Sequence, residues 1–160
     1  MAKFDLKEKT LVIMKPDALQ RNLLGEIIGR FERKGLKIVG MKMVKLSDVL
    51  LDKHYAHHKD KPFFVTLKRF MQSAPVVMMV LEGIEAVKVV RLIVGPTSGR
   101  EADAGSIRGD LAISFQTNIV HASDSISTAK QEVKRFFKPS EIFDYKKMDF
   151  EFVYGEEERV

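Results

Sequence analysis

Asn118-Ile119-Val120-His121-Ala122-Ser123-Asp124-Ser125 joins a short apolar run to a histidine and then to residues suited to starting a helix. Ser and Asp are favoured at helix N-caps because their side-chain oxygens accept the unpaired N–H groups of the first turn. The stretch reads as strand, histidine, tight turn, helix, with Asp124 as the expected cap. That arrangement holds an imidazole on a rigid element beside a helix N-terminus, whose free N–H groups and dipole favour phosphate. His121 is therefore suited to accept a phosphoryl group. Taken alone, a histidine beside Ser and Asp is more often a structural hydrogen-bonding residue, so the surrounding chain has to decide.

Working outward, a helix is expected from about Asp124 to Phe137, ending before Pro139. Upstream, Thr10–Met14 and Val76–Leu81 are continuous apolar runs of buried-strand length. Leu24, Ile27, Ile28 and Phe31 recur at helical spacing, and Gly35 follows where a C-terminal glycine belongs. Leu36–Val44 partly alternates and reads as a strand with a bulge at Gly40. Ser47 or Asp48 begins a helix towards His57, and Pro62 suits the first turn of another. A helix over Val87–Val94 is stopped by Gly95 and Pro96. Gly95 to about Asp110 shows no periodicity but carries Thr97, Arg100 and Arg108; unstructured loops of this length are usually functional or disordered. The order predicts an α+β fold with helices on a four-stranded sheet.

The 160 residues predict a single domain, 1–160, with room for a sizeable core. At 45% hydrophobic and 31% charged, the composition is that of a soluble globular protein. With no cysteine, disulfide frameworks and Cys metal sites are excluded. Met1–Lys9 is too charged for a signal peptide, and no apolar run approaches a membrane span, so no membrane partner and a cytoplasmic location are expected. A net charge of +5 suits nucleotides or nucleic acid as partners, although the basic residues are spread along the chain rather than gathered in a block.

The Asn118–Ser125 stretch also resembles the signature N-x-x-H-G-S-D-S of the nucleoside diphosphate kinases. Lys15-Pro16-Asp17, His54-Tyr55, Lys61-Pro62-Phe63-Phe64, Leu81-Glu82-Gly83, Arg91, Gly95-Pro96-Thr97 and Ile107-Arg108-Gly109-Asp110 fall in the family's order and spacing, from about Lys9 to about Tyr154. The resemblance implies a ferredoxin-like βαββαβ core with a four-stranded antiparallel sheet. It implies an enzyme that moves the γ-phosphoryl group of a nucleoside triphosphate to a nucleoside diphosphate by a ping-pong mechanism through a phosphohistidine. It also implies magnesium, carried by the nucleotide phosphates rather than by a protein metal site, and a homo-oligomer, with a hexamer favoured over a tetramer.

The site residues follow position by position. His121 is the expected nucleophile, oriented by Ser123 and Glu132. Lys15, Arg91 and Arg108 match the phosphate contacts, with hydroxyls from Tyr55 and Thr97. Phe63 matches the aromatic on which the base stacks, and Asn118 a ribose contact. Glu132 has some support of its own: it shares a helical stripe with Ser125, Ala129 and Phe136, where a buried carboxylate needs a hydrogen-bonding partner. Of Phe63 and Phe64, one is expected in the core.

Two departures stand out. Ala122 replaces the family's usual glycine, which matters if the backbone there needs a positive φ. Gln116-Thr117 replaces a frequent Gly-Arg pair, and no role is assigned to either. Gly35 and Gly40 have P-loop spacing, but Met41 stands where the lysine is needed. His54, His57 and His58 lie at helical spacing and are expected as a solvent-facing cluster rather than a metal site. The competing readings are a non-enzymatic nucleic-acid-binding protein on the same fold, a secondary role at most for the kinase, and a regulatory nucleotide binder without turnover.

Overall fold

The computed structural model describes residues 7–159, so the first six positions of the charged N-terminal stretch lie outside the described residues. The elements in order are β1 (Lys9–Met14), α1 (Pro16–Gln20), α2 (Leu24–Arg33), β2 (Lys37–Val44), α3 (Asp48–His54), α4 (Phe64–Met71), β3 (Val76–Glu82), α5 (Ala86–Val94), α6 (Ile107–Leu111), β4 (Val120–Ala122), α7 (Ile126–Phe136) and α8 (Phe150–Val153). Single 3₁₀ turns occupy Ala56–His58, Pro139–Glu141 and Glu156–Glu158. The strands form one sheet in the order β2-β3-β1-β4, with every neighbouring pair antiparallel. This is the ferredoxin-like β1–α2–β2–β3–α5–β4 core, with α3 and α4 inserted between β2 and β3.

The period-two geometry of strands divides the core. Val12, Met14, Val77, Met79 and Leu81 face the layer containing Ile27 and Phe31 of α2 and Val90 and Val94 of α5. Leu11, Ile13, Val76, Met78 and Val80 face Leu51 of α3, Phe64, Leu67 and Met71 of α4, and Phe136 of α7. A strand covered on both sides reads as an unbroken apolar run, which is why β1 and β3 are so visible in the sequence. Pairing of β2 with β3 slips between Ile38 and Gly40. A Cβ at Gly40 would lie only 3.0 Å from the Glu141 carbonyl and 3.1 Å from the Phe137 ring, so close approach as well as the bulge favours glycine there.

Three local expectations are corrected. The cap of α7 is Ser125, whose extended backbone lets its Oγ accept the Thr128 N–H at 3.1 Å; Asp124 is exposed one residue earlier. Pro62 lies within a turn closed by the Phe64 N–H on the Lys61 carbonyl at 3.0 Å, and α4 begins two residues later. The segment read as a loop contains the start of α6. Helices of five residues complete too few turns to display a hydrophobic period.

Candidate active site

His121 lies on β4 opposite Ile13 of β1. Directly paired residues of antiparallel strands present their side chains on the same face, and Ile13 belongs to the layer packed against α3, α4 and α7. The imidazole therefore meets α7 and α3. Its Nε2 is 3.0 Å from both carboxylate oxygens of Glu132. Ser123, wholly buried, donates to the same carboxylate at 2.6 Å. Burial opposes charge on Glu132, but the hydrogen bonds from His121 and Ser123 and the nearby imidazoles hold its pKa below the usual carboxylate value. With Nε2 donating to an anion, Nδ1 is the nitrogen left with a lone pair.

Lys15 directly follows β1, at the N-cap of α1, and its N–H donates to the Ile119 carbonyl at 2.8 Å. Its Nζ donates to Asn118 Oδ1 at 2.7 Å. Both amide hydrogens of Asn118 are also engaged, one on the Thr97 carbonyl and one on that of Phe115, each at 2.9 Å. Burial, reinforced by the charge of Arg108 and opposed by Asp17, lowers the Lys15 pKa to about 8. Arg108, also buried, donates to the carbonyls of Asn118, Gly95 and Val120. Three of its five N–H donors are thus engaged and two remain. Burial and the neighbouring Arg91 lower its pKa to about 10. Tyr55 is buried, and burial together with Glu132 raises its phenol pKa.

Between Asn118 and β4 the chain makes a strained bend. Ile119 has φ 73°, in the left-handed region that a β-branched residue avoids. Such strain costs on the order of 1–3 kcal/mol and persists only where the surroundings enforce it. Here the enforcement is explicit: Ile119 is fully buried, its N–H donates to Asp17 Oδ2 at 2.9 Å, and its carbonyl accepts from Lys15. Ala122, in contrast, has no positive φ, so its methyl meets no backbone penalty of that kind. In the preceding segment, a Cβ at Gly109 would collide with the Asp103 carbonyl. Asp110 accepts from the Gly105 N–H at 2.8 Å and pairs with Arg30 of α2 at 2.7 Å, which fastens the segment to the fold.

These elements surround a cavity of about 700 Å³. Lys15, Tyr55, Phe63, Arg91, Thr97, Arg108, Asn118, His121 and Glu132 all line it, while Ser123 lies behind Glu132. Phe63 is 44% exposed and Phe64 is buried, so the first faces the cavity and the second the core. His57 and His58 line the rim, their ring centroids 3.9 Å apart, with His58 5.2 Å from Phe63.

The expectation of a solvent-facing histidine cluster fails for His54. It is buried, with its ring 4.7 Å from that of His121 and packed against Tyr55 and Phe136. Burial and the adjacent His121 lower its pKa to about 3, so the ring is neutral. Its Nδ1 accepts from Arg135 Nη1 at 3.3 Å, which leaves the ring proton on a buried Nε2 without a partner. Spacing along α3 could not separate a buried histidine from an exposed one, since the face is decided by packing on α7. Phe115, 62% exposed on the cavity wall, was likewise missed, as were Asp17 and the strain at Ile119. A phenylalanine within a polar, aperiodic segment was the one available signal for Phe115.

The sequence model of the nucleoside diphosphate kinase family matches residues 8–142. The nucleoside diphosphate kinase of Parabacteroides distasonis is 54% identical over 151 residues, covering 94% of this chain and 99% of that protein. That of Pyrococcus abyssi is 54% identical over 142 residues, covering 87% and 89%. Among solved structures, the halophilic nucleoside diphosphate kinase of Halobacterium salinarum in complex with CDP superposes with a TM-score of 0.90 at 41% identity, covering 92% of this chain and 99% of that one.

Proposed function

The chain belongs to the nucleoside diphosphate kinase family, and from that premise we propose that it exchanges γ-phosphoryl groups between nucleoside triphosphates and diphosphates through His121. The observation that carries this reading is the fixed imidazole: Nε2 is held by a Glu132 carboxylate that Ser123 in turn orients, so Nδ1 remains as the nucleophile beside the buried cations Lys15 and Arg108. In the first half-reaction Nδ1 attacks the γ-phosphorus. The Nδ1–P bond forms, the bond to the β,γ-bridging oxygen breaks, and the diphosphate leaves with that electron pair. In the second, a terminal oxygen of another nucleoside diphosphate attacks the phosphohistidine and the Nδ1–P bond breaks. Glu132 stabilises the positive charge that the ring acquires in the first attack and gives up when the Nδ1–P bond breaks.

Lys15, Arg91 and the two free donors of Arg108 face the charge that builds on the phosphate oxygens, and Thr97 and Tyr55 contribute hydroxyls. Phosphoryl transfer depends mainly on such positioning and charge neutralisation. Phe63 stacks the base and Phe115 offers a second apolar wall; stacking tolerates any base, since each has a π-face. Asn118 meets a ribose hydroxyl through the remaining lone pair of Oδ1, because both of its amide hydrogens are engaged.

Magnesium is a hard cation that prefers oxygen ligands and usually remains on substrate phosphates. Of the cavity's two carboxylates, Glu132 is engaged by His121 and Ser123 and Asp124 is exposed, while Lys15, Lys61, Arg91 and Arg108 dominate the rest. That donor set suits an ion arriving on the nucleotide, where it neutralises phosphate charge. Our reading includes one kinase domain over residues 1–160, a homo-oligomer, with a hexamer ahead of a tetramer, and a cytoplasmic location. Among the described residues, no helix is long and apolar enough to cross a membrane.

The test is to incubate the protein with magnesium and γ-labelled ATP beside His121→Ala. Acid-labile, alkali-stable label on the wild type alone, released as labelled GTP on adding GDP, is the expected result. Equal labelling of His121→Ala, or no label on folded wild type, overturns the assignment.

A further inference from the structure

Behind the nucleophile stands a set of groups that phosphoryl transfer does not fully use. His54, His121 and Glu132 each offer one ligand atom, and these atoms lie within 4.8 Å of one another. The Nε2 of His121 is 3.0 Å from the carboxylate oxygens, and Nδ1 of His54 is 3.8 Å from Oε1. Around a tetrahedral zinc with bonds of about 2.0–2.1 Å, adjacent ligands lie about 3.4 Å apart. The two separations to Glu132 bracket that value, and the two imidazoles, within 4.8 Å of each other, close on the ion as it binds. Two imidazoles and one carboxylate form a recognised zinc ligand set, and the nitrogens select against magnesium. His121 and Glu132 line the cavity, which supplies an entry path.

We infer that His54, His121 and Glu132 form an inhibitory site for a borderline divalent cation of the zinc or cobalt class, occupied only while His121 is unphosphorylated. The inference rests on His121 being the nucleophile. A metal takes the lone pair of His121 Nε2, so the proton now on that nitrogen moves, through solvent, to Nδ1. The nitrogen that attacks phosphorus is thereby protonated, and the enzyme stalls although the nucleotide pocket remains open. Conversely, a phosphoryl group on Nδ1 keeps the proton on Nε2 and excludes the metal. At His54, Nδ1 already presents its lone pair, at present to Arg135. The metal displaces that guanidinium, which is partly exposed and can swing outward. Arg135 thus competes with the ion both for Nδ1 and through like charge, setting a threshold below which the enzyme ignores trace metal.

Cobalt(II) provides the readout, because tetrahedral nitrogen–oxygen coordination gives intense visible bands. Nucleotide-free wild type is expected to develop those bands at one ion per chain, undisturbed by excess magnesium, and to lose them once His121 is phosphorylated. His54→Gln should weaken binding by at least about a hundredfold, the upper end for loss of a supporting group. Arg135→Gln should tighten it by roughly tenfold or more, the scale of one like charge removed at contact distance. The double variant His57→Ala/His58→Ala should bind as wild type does. Bands that persist after phosphorylation, or that vanish only when His57 and His58 are removed, overturn the proposal, as does unchanged affinity in Arg135→Gln. Because phosphate labelling is scored with magnesium as the only metal present, a failure of the kinase reading is separable from a failure of the metal site.

Discussion

At the scale of single residues, the most informative group is Lys15, a cation buried beside another cation. Its pKa of about 8 in the folded protein lies below the 10.5 of an ordinary lysine. Below pH 8 both folded and unfolded chains carry this proton, and the cost of burying the charge is fully present. Between about 8 and 10.5 the unfolded chain binds more protons, so Lys15 makes folding more favourable as pH rises through that window. Activity moves the opposite way. On the proposed mechanism the ammonium faces phosphate, so kcat/KM is expected to fall as pH rises through about 8. The limb in kcat should lie at higher pH, because bound polyphosphate favours the charged form. Lys15→Arg should abolish the limb in kcat/KM, and its persistence there would assign the titration to another group. Lys15→Ala should cost about 3–4 kcal/mol of transition-state stabilisation, the scale for one aimed donor, and full turnover in that variant would remove Lys15 from the mechanism.

At the scale of elements, catalytic geometry depends on how α7 begins. Ser125 caps the helix that carries Glu132 two turns later, and Glu132 holds the His121 ring. Ser125→Ala is expected to lower stability by about 1 kcal/mol, as loss of a cap does, and to lower kcat more than it raises KM. Asp124→Ala, altering the exposed neighbour, should leave thermal stability within about 0.5 kcal/mol of wild type. Denaturation midpoints of the two variants measured side by side decide the matter; a larger loss in Asp124→Ala would restore Asp124 as the cap. The bend at Ile119 belongs to the same scale. Asp17 on α1 and Lys15 between β1 and α1 hold Ile119 through its N–H and its carbonyl, so the β1–α1 junction fixes the strained residue that leads into β4.

At the scale of the molecule, β2 forms one edge of the sheet and exposes Met41 and Met43 along it. Met148 and Phe152 near the C-terminus are each more than nine-tenths exposed. Apolar side chains in such positions are those that association would cover. Light scattering is expected to give several multiples of 18.2 kDa, reduced by the double variant Met41→Glu/Met43→Glu. A wild-type mass of one chain would remove the oligomer from the proposal.

The sequence alone determined β1, β3 and the amphipathic α2 and α7, because burial imposes periods of 2 and 3.6 that survive in the order of residues. The ordered motifs from Lys15 to Glu132 were also legible as a family pattern, and the family's sequence model matches residues 8–142. The helical stripe placed Glu132 at the edge of the apolar face, and the fold decided that it is buried and partnered by His121 and Ser123. Only tertiary structure decided that His54 faces inward against His121, that Ser125 rather than Asp124 caps α7, that Asn118 braces Lys15, and that Ile119 is bent by Asp17. The cap turns on the local backbone at Ser125, whereas the other three depend on contacts between segments distant in the chain, such as Asp17 with Ile119 and His54 with Arg135. A local pattern records the face on which a residue lies, but not which group from another element will meet it there.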